Sequence, residues 1–558
     1  MNYKVMVPSQ VWQGYNSHQE PLQNEKTEYI GTLGEGIKEE RHHFVAMTKE
    51  DGNLTVAVRV ISQESNLNDA PVVLVVGEYH RAPEEKLLIA LAKNGYTVVV
   101  PDLSGVGDFK TTFPPSIEYG EYAKAGDHIK KVMPTARETC QYLYSIIAKR
   151  TIIFIKRIIS DGALIVMGLG DAVEVAMQVV ATENENVKGL CCLNGAGYRE
   201  YIKQTRYGEQ AELALDEERM CWLTGVASVA YARHIKVPTF IAVGSNARNS
   251  DVDRLSNLVA LMNEEEIRIS ISPRATDFIL PEAYKTLLIW LKFISLERGD
   301  EIPDTPKLTI RISEDGIPTF NIDCDPQSMI KKVSVYYASK EYHHDMRDYY
   351  EEEGLSISYN EYIAEAKEYS EKEPLFAFAV VEYENGLSLS SLVEHVELKG
   401  LPVKPNDNKS SAIHNLIYQA GEESGFVEDY SGSVLFEKSL RVAQTSLGMV
   451  GLTSDSDGLT TYRFAPEEDA DRSRLLHLEL YTEEDAEVEV VLLGITNEGT
   501  KSYSAKINLQ GTKGLFMGTR LKLIDFKDEH FMPLSKWYGV KSLSIRGKNI
   551  IVGNVLFI

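Results

Sequence analysis

The sequence predicts an α/β protein with a mostly parallel sheet covered by helices on both faces, followed by two β-sandwiches. From about Asp69 to Arg298, short apolar and β-branched runs alternate with segments of helical period, a pattern typical of buried parallel strands joined by helices. From Lys307 onward, strand patterns dominate. Because 558 residues exceed what one hydrophobic core usually holds, we expect domains at residues 1–300, 301–402 and 412–558.

The predicted sheet begins with a hairpin. Two alternating runs flank a DG turn signal in HHFVAMTKEDGNLTVAVRVIS, which indicates an antiparallel edge. Helices are expected from Pro83 to Asn94 and from Pro281 to Leu296. The six predicted core strands are PVVLVVGEYH, YTVVVPDLSG, ALIVMGLGD, VKGLCCLNGAG, VPTFIAVGSN and IRISISPRA. In such sheets ligands are expected at the carboxyl ends of the strands.

Two linkers separate the β-rich regions. After the connector LERGDEIPDTPK, residues 307–399 have the size and strand spacing of an immunoglobulin-like sandwich, with a polar, Tyr- and Glu-rich insertion at 342–373. After LPVKPNDNKSS, residues 412–558 are nearly all strand, and we expect a jelly roll.

Composition narrows the possible partners. A net charge of −24 and a pI near 5.1 should repel nucleic acid and anionic lipid surfaces. The five cysteines have no metal-type spacing and are expected to be reduced and buried. The sequence shows no signal peptide and no apolar run of membrane-spanning length, so we expect a cytoplasmic protein without membrane insertion. We also expect neither a metal nor a cofactor.

Several blocks, in order, resemble the α/β-hydrolase superfamily, and specifically its acetyl xylan esterase and cephalosporin deacetylase-like branch. The resemblance covers about residues 10–298. The blocks are VWQGYNSHQEPL, PVVLVVGEYHRAPEEKLLIALAKNGYTVVVPDLSGVGD, ALIVMGLGDAVEVAM, VKGLCCLNGAGYREY, VPTFIAVGSNARNSDVDR and ISPRATDFI. The resemblance implies an acyl-ester hydrolase with a serine, an acid and a histidine at the carboxyl edge of the sheet.

The positions that match this triad lack its chemistry. Gly170 occupies the nucleophile position of the G-x-S-x-G elbow, and glycine offers no attacking atom. Ala247 stands where the acid belongs, and Asp277 best matches the histidine, which a carboxylate cannot replace as a neutral base. Of the oxyanion-hole turn only Gly77 remains, followed by larger residues.

Other side chains have two interpretations each. Asp171 is a substitute nucleophile or a carboxylate favoured by the start of a helix. His80, at the expected pocket mouth, and His234 are each either a base or a hydrogen-bonded or exposed histidine without a catalytic role. Residues 343–345 read His-His-Asp, which suggests a metal site or a solvated loop; we expect the loop. Residues 105–108 read GVGD, which lacks the spacing of a phosphate loop and indicates a structural turn.

The last region resembles galactose-binding-like and carbohydrate-binding sandwiches. Phe531, Trp537 and Tyr538 are candidates for stacking on sugar rings, with packing of Trp537 beneath the sandwich as the alternative. The sequence therefore predicts a non-catalytic pseudo-hydrolase that binds or scaffolds a carbohydrate, an acylated glycan or a protein. The alternatives are an active carbohydrate esterase with a non-standard nucleophile, and a structural subunit of a larger assembly.

Overall fold

The computed structural model describes residues 2–18, 22–34, 36–65, 69–195, 205–208, 216–296, 302–405, 415–429, 439–464, 466, 470–496 and 499–558. Part of each predicted linker lies outside the described residues. Residues 196–202, which belong to the segment that resembles the hydrolase family, lie outside them as well.

The first region contains a nine-stranded sheet with the order β1-β2-β3-β5-β4-β6-β7-β8-β9. Its strands are β1 Asn24–Thr32, β2 Ile37–Lys49, β3 Gly52–Gln63, β4 Val72–Val76, β5 Thr97–Pro101, β6 Leu164–Leu169, β7 Gly189–Leu193, β8 Thr239–Gly244 and β9 Ile267–Ser272. Strands β4 to β9 pair in parallel, and the β2–β3 hairpin, which turns at the Lys49–Gly52 pair, adds the antiparallel edge through β3 and β5. The predicted mixed sheet is confirmed.

Helices cover both faces of this sheet. They are α1 Pro8–Val11, α2 Glu85–Lys93, α3 Cys140–Phe154, α4 Val173–Thr182, α5 Glu217–Gly225, α6 Ser228–Tyr231, α7 Leu255–Val259 and α8 Pro281–Leu296. Buried residues of α3 and α4 pack on one face, and those of α2 and α8 pack on the other. The helix predicted at 281–296 has those bounds, and the one at 83–94 is shorter at both ends.

The middle region has two antiparallel sheets, with the orders β10-β11-β15-β14 and β13-β12-β16-β17, and β18 pairs with β16. The strands are β10 Lys307–Ile312, β11 Pro318–Asp323, β12 Ile330–Ser339, β13 Tyr350–Glu353, β14 Leu355–Ser356, β15 Glu361–Glu365, β16 Pro374–Tyr383, β17 Ser388–Ser390 and β18 Glu394–Glu397. The insertion at 342–373 therefore supplies three strands. The apolar residues of this region join those of the first in shared clusters, so the two regions pack as one body.

The C-terminal region has two further antiparallel sheets around a separate core. One has the order β21-β22-β29-β24-β27 with β19 on β29, and the other β20-β23-β28-β25-β26. The strands are β19 Leu416–Tyr418, β20 Val427–Asp429, β21 Arg441–Gln444, β22 Val450–Thr453, β23 Gly458–Thr461, β24 Leu476–Tyr481, β25 Ala486–Thr496, β26 Gly499–Leu509, β27 Met517–Leu521, β28 Val540–Arg546 and β29 Ile551–Phe557.

All five cysteines are buried and free of disulfides, which agrees with the sequence. Among the described helices, none has both the length and the apolar character needed to cross a bilayer.

Candidate functional site

The candidate site lies at the carboxyl end of β6, where the chain turns sharply into α4. The fully buried strand drives the chain into Gly170, whose φ of 52° lies in the left-handed region. Close packing also requires a glycine at 168, since a Cβ there would lie 2.8 Å from both the Ala176 Cβ and the Val173 Cα. The backbone thus has the strand–turn–helix form of a nucleophile elbow.

The space in front of this turn is filled by Glu78. A Cβ added to Gly170 would lie 2.9 Å from Cγ and 3.0 Å from Cδ of Glu78, and closer still to its Oε1. The Glu78 side chain is 11% exposed and pairs with the Nε of Arg81. A carboxylate from the loop after β4 therefore occupies the volume into which a nucleophilic side chain would project.

Asp171 binds the same loop. Its Oδ1 accepts a hydrogen bond from the Tyr79 amide at 3.4 Å, and its carbonyl accepts one from the Tyr79 hydroxyl at 3.0 Å. Ser104 Oγ donates to the Tyr79 carbonyl at 2.7 Å. The Tyr79 amide, which lies two residues after Gly77, is therefore directed at a carboxylate, which makes it a poor donor to a reacting oxyanion. Gly77 itself packs against Pro83, because a Cβ there would lie 2.6 Å from its Cγ.

Ala247 is fully buried in the loop after β8 and contacts a histidine of the middle region. The His344 Nε2 lies 2.9 Å from the Ala247 carbonyl, and its Nδ1 lies 3.5 Å from Asp251 Oδ1. Burial lowers the pKa of His344, but the carboxylates of Asp251, Asp345 and Asp253 outweigh burial and raise it above the ordinary 6.5. Both ring nitrogens are occupied, so this imidazole anchors the middle region to the loop.

The same contact contains a buried ion pair. Arg347 donates to both carboxylate oxygens of Asp253, at 2.7 and 2.6 Å, and the two side chains are 0% and 2% exposed. Burial alone would raise the pKa of Asp253, but Arg347 outweighs it and the pKa is lowered. The expectation that this part of the insertion is a solvated loop is wrong, because residues 344 and 347 reach back to the first region.

Asp277 connects the two loops at this edge of the sheet. Its Oδ1 accepts hydrogen bonds from the backbone amides of Arg248 at 2.8 Å and Asn249 at 3.1 Å. Burial raises the pKa of Asp277, and the nearby Glu78 carboxylate adds to the rise, while Arg248 and the two amides oppose it. The residue at the histidine position thus acts as an acceptor for the neighbouring loop.

The C-terminal region closes this edge from outside. Arg248 Nη2 lies 2.6 Å from Asp429 Oδ1, and Arg546 Nη2 lies 3.1 Å from the other oxygen of Asp429. Arg463 pairs with Asp348 of the middle region at 3.2 Å. All three regions therefore meet over the loops that follow β8 and β9.

Two cavities border the site. One of about 50 Å³ lies beside Gly77, Glu78, Arg81 and Asp102, and is much smaller than the few hundred Å³ of usual ligand pockets. The other, of about 470 Å³, lies at the junction of the three regions and is lined by Arg274, Tyr336 and Phe426 among others.

The remaining candidates are dispersed. His80 and His234 are exposed. Trp537 is 0% exposed and meets Phe464, Phe526 and Phe557 edge to face, so it packs in the core and is unable to stack on a sugar. By contrast Phe531 is 80% and Tyr538 45% exposed. Among the described residues, no group of three or more His, Cys, Asp or Glu side chains is placed to hold a metal.

Sequence reasoning missed Glu78, Arg347 and Asp429. The only signal for Glu78 was that larger residues follow Gly77 in a turn that normally stays open. The other two gave no local signal, because their partners lie 94 and 181 residues away along the chain.

Comparison with known proteins gives structural likeness only. No protein-family model and no curated protein matches the chain. The solved structures that resemble it include acetyl xylan esterase from Paenibacillus sp. R4, with 12% identity, a TM-score of 0.39 and coverage of 50% of this chain and 90% of that one. Acetyl xylan esterase 1 from Thermoanaerobacterium sp. JW/SL YS485 shows 11% identity, a TM-score of 0.37 and coverage of 52% and 94%. Est1E from Butyrivibrio proteoclasticus shows 14% identity and a TM-score of 0.33, and the match covers 44% of this chain and 95% of that one.

Proposed function

We propose that this protein is a non-catalytic member of the α/β-hydrolase class that serves as a binding or scaffold protein. The observation that carries the proposal is the Glu78 carboxylate in the space that a nucleophile at position 170 would need. Restoring attack would require both a new side chain at 170 and removal of Glu78.

The other requirements of acyl transfer support the same proposal. A general base needs a ring nitrogen free to accept a proton from the nucleophile. His344, the histidine that meets the loop of the missing acid, has one nitrogen at the Ala247 carbonyl and the other at Asp251. The Tyr79 amide, in the turn that follows Gly77, faces the Asp171 carboxylate, which also places the suggested substitute nucleophile in a hydrogen bond with the backbone.

Binding at this edge takes the form of intramolecular docking. Charged side chains of the middle and C-terminal regions occupy positions around the old active-site loops, as in the Arg248–Asp429 and Arg347–Asp253 pairs. We infer that the hydrolase sheet now supports the arrangement of the three regions, and that external partners meet other surfaces.

The exposed aromatic residues of the C-terminal region favour a carbohydrate as such a partner. Phe531 has a φ of 61°, unusual for a bulky residue, in a tight turn held by Asp528, whose Oδ1 accepts from the amides of His530 and Met532 at 2.9 and 2.8 Å. The turn keeps the Phe531 ring exposed to solvent at the cost of backbone strain, and an exposed aromatic ring can stack on the apolar face of a sugar. Affinity electrophoresis in xylan gels tests this: Phe531→Ala should lose retardation, whereas Leu355→Ala, an exposed apolar residue of the middle region, should keep it. Equal migration of both variants and the wild type would count against sugar binding.

The catalytic alternative is tested with p-nitrophenyl acetate and the full chain. We expect turnover no faster than in buffer, for the wild type and for Glu78→Ala. If Asp171 acts as a nucleophile, turnover will be measurable and will vanish in Asp171→Asn but persist in Asp455→Asn, which removes an exposed carboxylate of the C-terminal region. That pattern would overturn the proposal.

A further inference from the structure

A second concave site lies at the opposite edge of the same sheet. A groove of about 740 Å³ lies between the first and middle regions. One wall is formed by α8 and by the amino ends of β8 and β9, and the other by two turns of the middle region. The wall from the first region includes Pro238, Trp290 and Ile294, and the facing wall includes Met329 and Tyr383. Its volume lies within the usual range of small-molecule sites.

The groove carries a strong negative charge. Its ionisable residues, apart from Tyr383, are Glu265, Glu266, Arg268, Asp304, Asp325 and Glu384, which give a formal charge of −4. Arg268 is already paired, since its Nη2 lies 2.9 Å from Asp304 Oδ1. The carboxylates come from both walls and from the segment between them, so their field converges on the groove.

Tyr383 lines the groove and carries an unused hydrogen-bonding group. It is 1% exposed, and within the described part of the chain its hydroxyl has no hydrogen-bond partner. Burial raises the pKa of this phenol, and Cys324, Asp325 and Asp304 add to the rise while Arg268 opposes it. A buried hydroxyl without a hydrogen-bond partner destabilises the fold unless a ligand or an ordered water forms a hydrogen bond with it.

Arg268 has unused capacity as well. Its Nη atoms donate to the carbonyls of Glu265, Ile267 and Ile302, but its Nε has no acceptor among the residues that the structure describes. The groove thus offers carboxylates that attract a cation, and a nitrogen donor that needs an oxygen.

We propose that this groove binds a small organic amine that also carries a hydroxyl or carbonyl oxygen, such as an amino sugar or an amino alcohol. The ammonium group interacts with the carboxylates of both walls and donates to Tyr383, directly or through one water. The oxygen accepts from Arg268. Anions are repelled by the net charge, and neutral sugars lack the group that the carboxylates select.

Isothermal titration of the full chain with glucosamine, ethanolamine and glucose tests the proposal. We expect saturable binding of at least one of the two amines, weakened by added salt because the attraction is electrostatic. Glucose, which matches glucosamine except for its charged group, should bind at least about tenfold more weakly. Failure of both amines to bind, or equal binding of glucosamine and glucose, would overturn the proposal.

Two variants locate the site. Glu266→Gln/Glu384→Gln removes one exposed charge from each wall and should weaken amine binding about tenfold, whereas Glu314→Gln/Glu353→Gln, the same charge change outside the groove, should leave it unaltered. Equal effects of the two double variants would mean that the amines respond only to the overall charge of the protein, which contradicts the site.

Tyr383→Phe separates a ligand role from a structural one. Without ligand, the variant should melt at the same or a higher temperature, because it removes an unpaired buried hydroxyl. With amine, its affinity should fall several-fold. A raised melting temperature with unchanged affinity would show that Tyr383 plays no part in binding and would contradict the proposal.

Discussion

The two edges of the nine-stranded sheet use charge in opposite ways. At the carboxyl edge, the charged groups are paired across regions: Arg347 with Asp253, and Arg248 with Asp429. At the amino edge, five carboxylates meet a single guanidinium, and the Tyr383 hydroxyl has no partner among the described residues. A buried polar group without a hydrogen-bond partner calls for an explanation such as a water, an ion or a ligand. Asn194 Nδ2 and Thr276 Oγ1, in the loops after β7 and β9, also have no partner among the described residues, so the contrast between the edges lies in the pairing of charge. The carboxyl edge thus joins the three regions through paired charges, whereas the amino edge presents a formal charge of −4 to the proposed ligand.

The largest expected effect is at the carboxyl edge. Asp253→Asn leaves the buried Arg347 guanidinium without its counter-charge, which should lower the free energy of unfolding by about 3–5 kcal/mol. Chemical denaturation of both proteins measures this change in the free energy of unfolding. The control Asp455→Asn breaks an exposed pair with Arg441 and should change stability by less than about 1 kcal/mol. Similar small effects in both variants would remove the distinction between paired and unpaired edges.

Gly170→Ser should have the next largest effect. The left-handed φ and the contact with Glu78 both oppose a side chain, and together they should lower the free energy of unfolding by about 1–3 kcal/mol without creating esterase activity. In Gly170→Ser/Glu78→Ala the loss should be smaller than the sum of the two single losses, because the second change empties the space. Strict additivity would show that Glu78 does not fill the elbow.

His344 should make docking of the middle region pH-dependent. Its folded-state pKa is raised, so its stabilising contribution is complete below about pH 6.5, its ordinary value, and is lost as the pH rises through the folded-state value. Relative to His344→Gln, the wild type should therefore lose stability as the pH rises above about 6.5. Melting curves of both proteins across this range measure the effect; parallel curves would contradict the raised pKa.

The smallest effect is expected at the amino edge. Glu266→Gln/Glu384→Gln removes two exposed charges, so stability without ligand should change by less than about 0.5 kcal/mol. A loss of several kcal/mol would mean that these carboxylates, like those at the carboxyl edge, belong to the structure.

The sequence allowed prediction of features that depend on local pattern. The β2–β3 hairpin follows from alternation around a DG turn, the parallel strands from continuous apolar runs, and the tight turn at Gly170 from a glycine between a strand and a helix. The filling of the elbow by Glu78 depends on how the loop after β4 turns, which no periodicity encodes. The Arg347–Asp253 pair and the groove at Tyr383 join segments distant in the chain, so they required three-dimensional information.

The most direct test of the account is intact-mass spectrometry of the full chain after treatment with a fluorophosphonate probe. We expect an unmodified mass for the wild type, because position 170 offers no attacking atom and the space before it is filled by Glu78. A stoichiometric adduct that maps to one serine near the carboxyl ends of β4 to β9 would contradict it.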